Sequence, residues 1–373
     1  MQFELDEERA LLQSSSRELL EKEAPLAETR SVMEDSVEGF NKAFYAQLGE
    51  LGYLGLLVPE AEGGSGMGAV GLAAVLAEMG RVAFPGPYLE QVLAIDALRR
   101  CDGAEAARWL ERCMAGEALI VFARREGAAG REPAQPATRC VESRITGRKT
   151  FVAFGATADA LLATTADGLA LVPRPDAGWS ATPLPTIDHA QRFAEIALDA
   201  PAALLAEPAR ARALLQEVDR IGALGAAAML LGLMERALEL TVAYTMEREA
   251  FGTVIATFQA LQHRCADMLL KTESTRSAVF RAAWAADAAP AEFPYLAAVA
   301  KAWAGDAGRF VCGEALQLHG GVGYTWEYDP HIYLKRVKTL EQFYGTTREQ
   351  IEEALCRAPC LGARRERDPA RSD

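Results

Sequence analysis

Apolar residues recur at three- and four-residue spacing through the first third of the chain. LLQSSSRELLEKE and FNKAFYAQLGELG each set an apolar stripe opposite polar and charged residues, the pattern of amphipathic helices. LVPEAEGGSGMG interrupts it with Pro59 and the cluster Gly63, Gly64, Gly66 and Gly68; AVGLAAVLAEMGRV then resumes it and stops before Pro85 and Pro87. Further helices are expected around 90–99 and 104–114. From about 118 to 200 the period shortens: ALIVFAR, FVAFG, ALLATT, LALVPR and FAEIAL are short apolar runs bounded by Gly, Pro or Asp, which is strand spacing. EGAAGREPAQPAT has no period and reads as a loop. Beyond about 205 the helical period returns in one long run, RARALLQEVDRIGALGAAAMLLGLMERALELTVAYTMERE, with helices to follow near 258–277, 283–318 (broken near Pro294) and 331–356. Small residues at Gly222, Ala223, Gly225, Ala226, Ala227 and Ala228 suit close backbone packing. The pattern predicts an N-terminal helical domain over 1–117, a middle β domain over 118–203 and a C-terminal helical bundle over 204–358. Residues 359–373 have nothing to bury and read as a loose tail.

Composition narrows the function classes. The 373 residues are half hydrophobic and one quarter charged, in keeping with a folded globular protein. A formal net charge of -13 with no long basic tract argues against nucleic acid as a partner. No apolar stretch of spanning length lacks a charge or turn signal, so no membrane is expected. The opening MQFELDEERALLQSS lacks the apolar core of a secretory signal. Seven scattered cysteines form no CxxC pair, and with four histidines they give no metal set. A reducing cytoplasm is the expectation.

Two polar signatures in the last third exceed what burial of one face requires. FQALQHRCADM carries Gln262, His263, Arg264 and Asp267 beside its apolar positions, and EALQLHGGVGYTWEYDPHIYLKR carries the pair Gly320-Gly321. Adjacent glycines end a helix and let another group approach the backbone; an ordinary helix cap is the alternative. With LGYLGLLVPEAEGGSG, ITGRKTFVAFGATAD and YTMEREAFGTVIATFQALQHRCADM, these motifs resemble the acyl-CoA dehydrogenase family over nearly the whole chain. The resemblance implies an α+β fold with a C-terminal four-helix bundle. It also implies FAD held between the middle sheet and that bundle, an acyl-CoA thioester as substrate, a homologous subunit closing over the cofactor, and electron-transfer flavoprotein as the usual acceptor.

Carried over by position, Arg248 meets the FAD pyrophosphate, Phe251 and Gly252 set the turn, and Phe258 and Gln259 line the adenosine side. Gln317, Gly320 and Gly321 face FAD from the neighbouring subunit, and Thr346 lies near it. Phe151 stands where the family places an aromatic beside the flavin ring. A guanidinium suits phosphate oxygens, which it can bind bidentately. Taken singly, Arg248 also reads as a solvated helix charge, Gln317 as a helix-surface residue, and Phe151, Phe251 and Phe258 as core. Lys149 and Asp159 read as sheet-edge or turn residues without chemistry.

The pattern departs from the family at its chemistry. The family's α,β-dehydrogenation needs a carboxylate to take the proton alpha to the thioester carbonyl. In many members it lies in a Tyr-Glu-Gly stretch, but the match here is Phe343-Tyr344-Gly345, and a tyrosine is a poor base near neutral pH. The second family position, on the long helix, matches Gly222. Asp219, one turn earlier, is the candidate base if the helix is shifted, although an early-helix acid also simply suits the dipole; Glu217 is further back and Glu341 is held in reserve as an otherwise solvated acid. In the middle domain, VFARREGAAGREP keeps Glu126 and Gly130 but puts Arg125, Gly127, Arg131 and Glu132 where the family has Thr, Pro, Ser and Asp. Such losses resemble bacterial members that act on steroid side-chain thioesters as mixed complexes, one chain supplying the base. A dehydrogenase subunit working with a partner, a non-catalytic subunit completing a partner's FAD site, and a self-sufficient flavoenzyme on another thioester all stay open.

Overall fold

The computed structural model describes residues 5–127, 132–175 and 179–358; Gly130, Arg131, Cys360 and the expected tail at 359–373 lie outside them. Six helices come first: α1 (Glu7–Glu23), α2 (Leu26–Asp35), α3 (Lys42–Glu50), α4 (Gly68–Arg81), α5 (Tyr88–Arg99) and α6 (Ala104–Met114). Eight strands follow: β1 (Ile120–Ala123), β2 (Arg139–Val141), β3 (Arg144–Ala153), β4 (Ala160–Thr165), β5 (Gly168–Pro173), β6 (Ser180–Leu184), β7 (Phe193–Pro201) and β8 (Ala203–Ala206). The chain then forms α7 (Pro208–Glu247), the hairpin strands β9 (Glu249–Ala250) and β10 (Thr253–Val254), and four helices, α8 (Gln259–Ala288), α9 (Phe293–His319), α10 (Pro330–Gln342) and α11 (Thr347–Arg357). The expected order of helices, sheet and helices holds.

Compactness divides the chain into two units that cut across this order. One comprises Met1–Lys22, Ala69–Ala83 and Arg220–Asp373; the other comprises Glu23–Gly68 and Phe84–Asp219. The second unit holds both sheets. One runs β1-β4-β5-β8, with β1 and β4 parallel and the other pairs antiparallel; the other runs β2-β3-β7-β6 and is antiparallel throughout. Every residue of β4 is buried, which is why ALLATT reads as an unbroken apolar run rather than an alternation. In the same unit Asn41 caps α3, its side chain accepting from the N–H groups of Ala43 and Phe44 at 3.1 Å.

In the first unit α4 and α7 meet backbone to backbone. A Cβ on Gly80 would lie 2.2 Å from the Met229 carbonyl oxygen, and one on Gly232 1.8 Å from that of Ala77. This backbone contact falls at Gly232, four residues beyond the small-residue run 222–228. Beside it, the buried Glu78 is forked by Arg17 at 2.8 Å and flanked by Arg81, which also bridges to Glu235 and Glu239; Arg276 pairs with Glu235 at 2.9 Å. By length and composition α7 could cross a bilayer, but 83 % of its apolar window is buried within the molecule.

Three expectations need correction. Strands β2 and β6 have no clear apolar signal, and β8, an apolar ALLA, straddles the expected domain boundary at 203; β6 is an outer strand, largely exposed, and carries Pro183, which a central strand would not tolerate. The gap expected between 277 and 283 is absent, α8 running unbroken to Ala288; the break near Pro294 holds, at 289–292, with Pro294 in the first turn of α9, where its missing N–H costs nothing. The span 331–356 is two helices, parted by the turn 343–346.

Candidate functional site

Most of the residues carried over for cofactor contact, all but Phe151 and Thr346, gather at two places in the first unit. Arg248 follows α7 and opens the β9–β10 hairpin, whose tip is Phe251-Gly252. Both tip residues are left-handed, with φ of 56° and 80°, so the non-glycine Phe251 is strained while Gly252 is not. Phe251 is 97 % exposed and meets Phe258 only edge-on, ring centroids 6.3 Å apart, which rules out core packing for it. Gln259 begins α8, and Gln262 donates to the Ala256 carbonyl at 2.9 Å, tying the turn to the helix. Arg248 and Gln259 are exposed, and neither side chain has a partner among the described residues.

The second place is the end of α9. Gly320 stops the helix at φ 66°, as the paired glycines predicted, and a short 3₁₀ turn runs over Gly320–Tyr324. Neither Gly320 nor Gly321 has an atom within 4 Å of where a Cβ would stand, so the backbone is open there. Gln317, one turn back, is exposed with no side-chain partner among the described residues. An aromatic cluster that sequence reasoning missed packs at this helix end. Tyr244 of α7 stacks on His319 at 4.4 Å, its hydroxyl reaching the His319 carbonyl at 3.4 Å, and Tyr328 meets both rings edge-on. His319 Nδ1 lies 2.7 Å from the Ala315 carbonyl and so carries the proton; burial pushes the imidazole below its ordinary range, although that hydrogen bond opposes the shift.

Tyr344 and Gly222, the two positions matched to the family's base, touch. A Cβ on Gly222 would lie 2.2 Å from Cδ1 and 2.6 Å from Cγ and Cε1 of the Tyr344 ring. Tyr344 is itself left-handed, φ 55°. Thr346 caps α11 in a reciprocal box with Glu349, so its hydroxyl is committed to the helix start. Glu341 is not the solvated acid expected: it is buried and accepts from Arg309 at 2.7 Å.

The remaining candidates lie in the second unit. Both oxygens of Asp219 accept from Arg124, at 2.7 and 2.8 Å, and Arg124 also pairs with Glu132 at 2.6 Å. Burial alone would lower the Arg124 pKa, but these carboxylates raise it further still, so the guanidinium stays charged. Asp219 lies well inside α7 rather than in its first turn, so a dipole role does not explain it. Lys149 is no edge residue: it is fully buried, donating to Glu126 at 2.6 Å and Thr164 at 3.0 Å. Glu126 also accepts from Ala137 N at 2.7 Å and the Thr138 hydroxyl at 2.7 Å; burial raises its pKa, and these bonds more than reverse that. The Asp159 carboxylate takes the Leu119 N–H at 2.8 Å, a structural bond. A bulge between Lys149 and Val152 turns Phe151 outward at φ 49°, 37 % exposed, while Thr150 N–H donates to the Arg125 carbonyl at 2.9 Å.

Family models for the acyl-CoA dehydrogenase N-terminal and C-terminal domains match residues 6–117 and 216–355, together more than half of the chain. The chain belongs to the acyl-CoA dehydrogenase family. Acyl-CoA dehydrogenase IpdE2 of Mycolicibacterium smegmatis is 33 % identical over 355 residues, 93 % of this chain and 97 % of that relative. Two solved structures superpose along nearly their whole length. The steroid ACAD Tcur3481–Tcur3483, a G363A variant, is 29 % identical with a TM-score of 0.83 over 96 % of this chain and 99 % of that one. The ChsE4–ChsE5 complex from Mycobacterium tuberculosis is 26 % identical with a TM-score of 0.82 over 100 % of both chains. The expected resemblance to steroid-type members is borne out. Within the acyl-CoA dehydrogenase frame, the contact between Tyr344 and Gly222 joins two positions that lie more than a hundred residues apart in sequence.

Proposed function

We propose that this chain is one subunit of a heteromeric, FAD-dependent acyl-CoA dehydrogenase that desaturates an acyl-CoA thioester between its α and β carbons, with the catalytic carboxylate supplied by a homologous partner chain. The observation that carries the reading is the Tyr344 ring lying on Gly222. Both family positions for the base lack a carboxylate, and the ring of one fills the space a side chain at the other would need. Asp219 is no substitute, because both of its oxygens are engaged by the Arg124 guanidinium.

Two places, Arg248 with Gln259 and Gln317 with the Gly320-Gly321 turn, suit a dinucleotide held between this chain and a neighbouring subunit. Their guanidinium and amides are exposed without side-chain partners among the described residues, and the glycine backbone is open. FAD, when bound, supplies the hydride acceptor. Arg248 would hold the pyrophosphate and Gln259 and Gln317 the polar edges. The two-protein composition of ChsE4–ChsE5 and the pairing in Tcur3481–Tcur3483 support the mixed assembly and a steroid side-chain thioester as substrate class. Electron-transfer flavoprotein is the acceptor the family suggests.

The test is flavin content and assembly. Co-expressed with a family member that carries the glutamate, the chain should co-purify in a fixed ratio with FAD bound. Arg248→Gln should lower FAD retention without lowering the yield of folded complex. A homo-oligomer that ignores such partners and turns over thioesters alone would overturn the proposal and restore the self-sufficient reading.

A further inference from the structure

One face of α9 is devoted to the turn that presents Tyr344. Lys301, Gly305 and Arg309 are spaced four apart and share that face. Lys301 is fully buried, and its Nζ donates to the carbonyls of Glu341 at 3.2 Å and Gly345 at 2.9 Å. One turn on, a Cβ on Gly305 would stand 2.6 Å from Thr347 Oγ1, so glycine is what lets the turn approach. A further turn on, Arg309 holds the Glu341 carboxylate at 2.7 Å. From the opposite side Gln350 Nε2 donates to the Tyr344 carbonyl at 2.6 Å. The carbonyls of residues 341, 344 and 345 are therefore all held, and the strained Tyr344 sits among them.

A non-glycine residue in the left-handed region persists only where its surroundings over-determine it. An ammonium group out of water is costly unless its donors are satisfied. Lys301 has no carboxylate within ion-pair distance among the described residues, and packing alone would be served by leucine or methionine. The two costs meet at one turn, Lys301 bridging its ends and Tyr344 strained within it.

We propose that Lys301 is a positioning residue. By bridging the carbonyls of Glu341 and Gly345 it fixes residue 344 in its left-handed conformation and so decides which side chain covers Gly222. It acts through residue 344. The clamp stands on geometry alone; only its consequence for catalysis rests on the function proposed above.

The test is a double-substitution cycle on the full chain, read by thermal unfolding. Lys301→Met should lower the melting temperature clearly in the native background and much less when Tyr344→Gly has removed the strain. If Lys301→Met does not fold alone, recovery of folded protein in the double variant gives the same answer. Additive losses, or failure of both variants to fold, would overturn the clamp. A fluorotyrosine placed at 344 reads position directly: one narrow ¹⁹F resonance in the native background, shifted toward the free amino acid by Lys301→Met, with an unmoved resonance contradicting the proposal. In the complex with the partner's glutamate replaced by glutamine, Tyr344→Glu should confer thioester-dependent flavin bleaching, and adding Lys301→Met should cut that rate about a hundredfold. If Tyr344→Glu confers no bleaching while the cycle still shows coupling, the assignment of position 344 fails and the clamp survives.

Discussion

At the scale of single residues, the decisive pair is Tyr344 with Gly222. Any side chain at 222 must displace an aromatic ring, which has no flexible end to swing aside. Gly222→Ala is expected to destabilise the chain by about 1–3 kcal/mol. Combined with Tyr344→Ala it should cost less than the sum of the two, with a coupling of about 0.5–3 kcal/mol in urea unfolding. Simple additivity would show that the ring and the glycine are not in contact. Lys301 gives a pH signature. Burial pushes its amine from 10.5 down to about 8, while Glu341 and Glu349 pull it partly back up and Arg309 neutralises Glu341. Its folded pKa lies below its unfolded value, so between these two values the unfolded chain binds the extra proton. The contribution of Lys301 to stability is then complete above the unfolded value and is lost as pH falls through about 8. The stability gap between the native chain and Lys301→Met should therefore widen by on the order of 1–3 kcal/mol from pH 7.5 to pH 10, measured by urea unfolding. A gap that narrows would contradict the burial.

At the scale of elements, the β9–β10 hairpin and the start of α7 differ in what they are for. Phe251 is strained and solvated, so Phe251→Asn, which tolerates the left-handed region, should leave stability within about 0.5 kcal/mol while lowering FAD retention by the complex. Sequence alone could not tell this from core packing, because an exposed phenylalanine at a hairpin tip and a buried one share the same letter. The fork between Arg124 and Asp219 joins β1 to α7 within one unit. Asp219→Asn should cost about 3 kcal/mol, since it leaves the half of a buried charge that Glu132 does not satisfy. Below its melting temperature the variant should still support flavin reduction in the complex. Loss of bleaching with folding intact would reinstate Asp219 as the base.

At the scale of the whole molecule, the order of helices, sheet and helices was legible because long helical periods give way to short apolar runs bounded by Gly, Pro or Asp and then return. The paired glycines announced the end of α9, and the motif residues led to the hairpin and the helix end. What stayed hidden was tertiary. The grouping of α1 and α4 with the C-terminal helices depends on Gly80 meeting Met229, on Gly232 meeting Ala77, and on Arg17 reaching Glu78, none of which has a local signal. Lys149 read as a sheet-edge or turn residue and nothing in the sequence marked Lys301, because lysine is usually exposed whereas both are buried here. That neither matched position carries a carboxylate was legible; that the Tyr344 ring lies on Gly222 was not.

The most direct test is anaerobic flavin reduction by acyl-CoA thioesters, straight-chain and steroid side-chain, with this chain alone and co-purified with a family member that carries the glutamate. If the proposed mixed assembly is right, the chain alone gives no thioester-dependent bleaching, the complex bleaches, and replacing that member's glutamate by glutamine abolishes it. Bleaching by this chain alone, unchanged when Tyr344 is replaced, would contradict it.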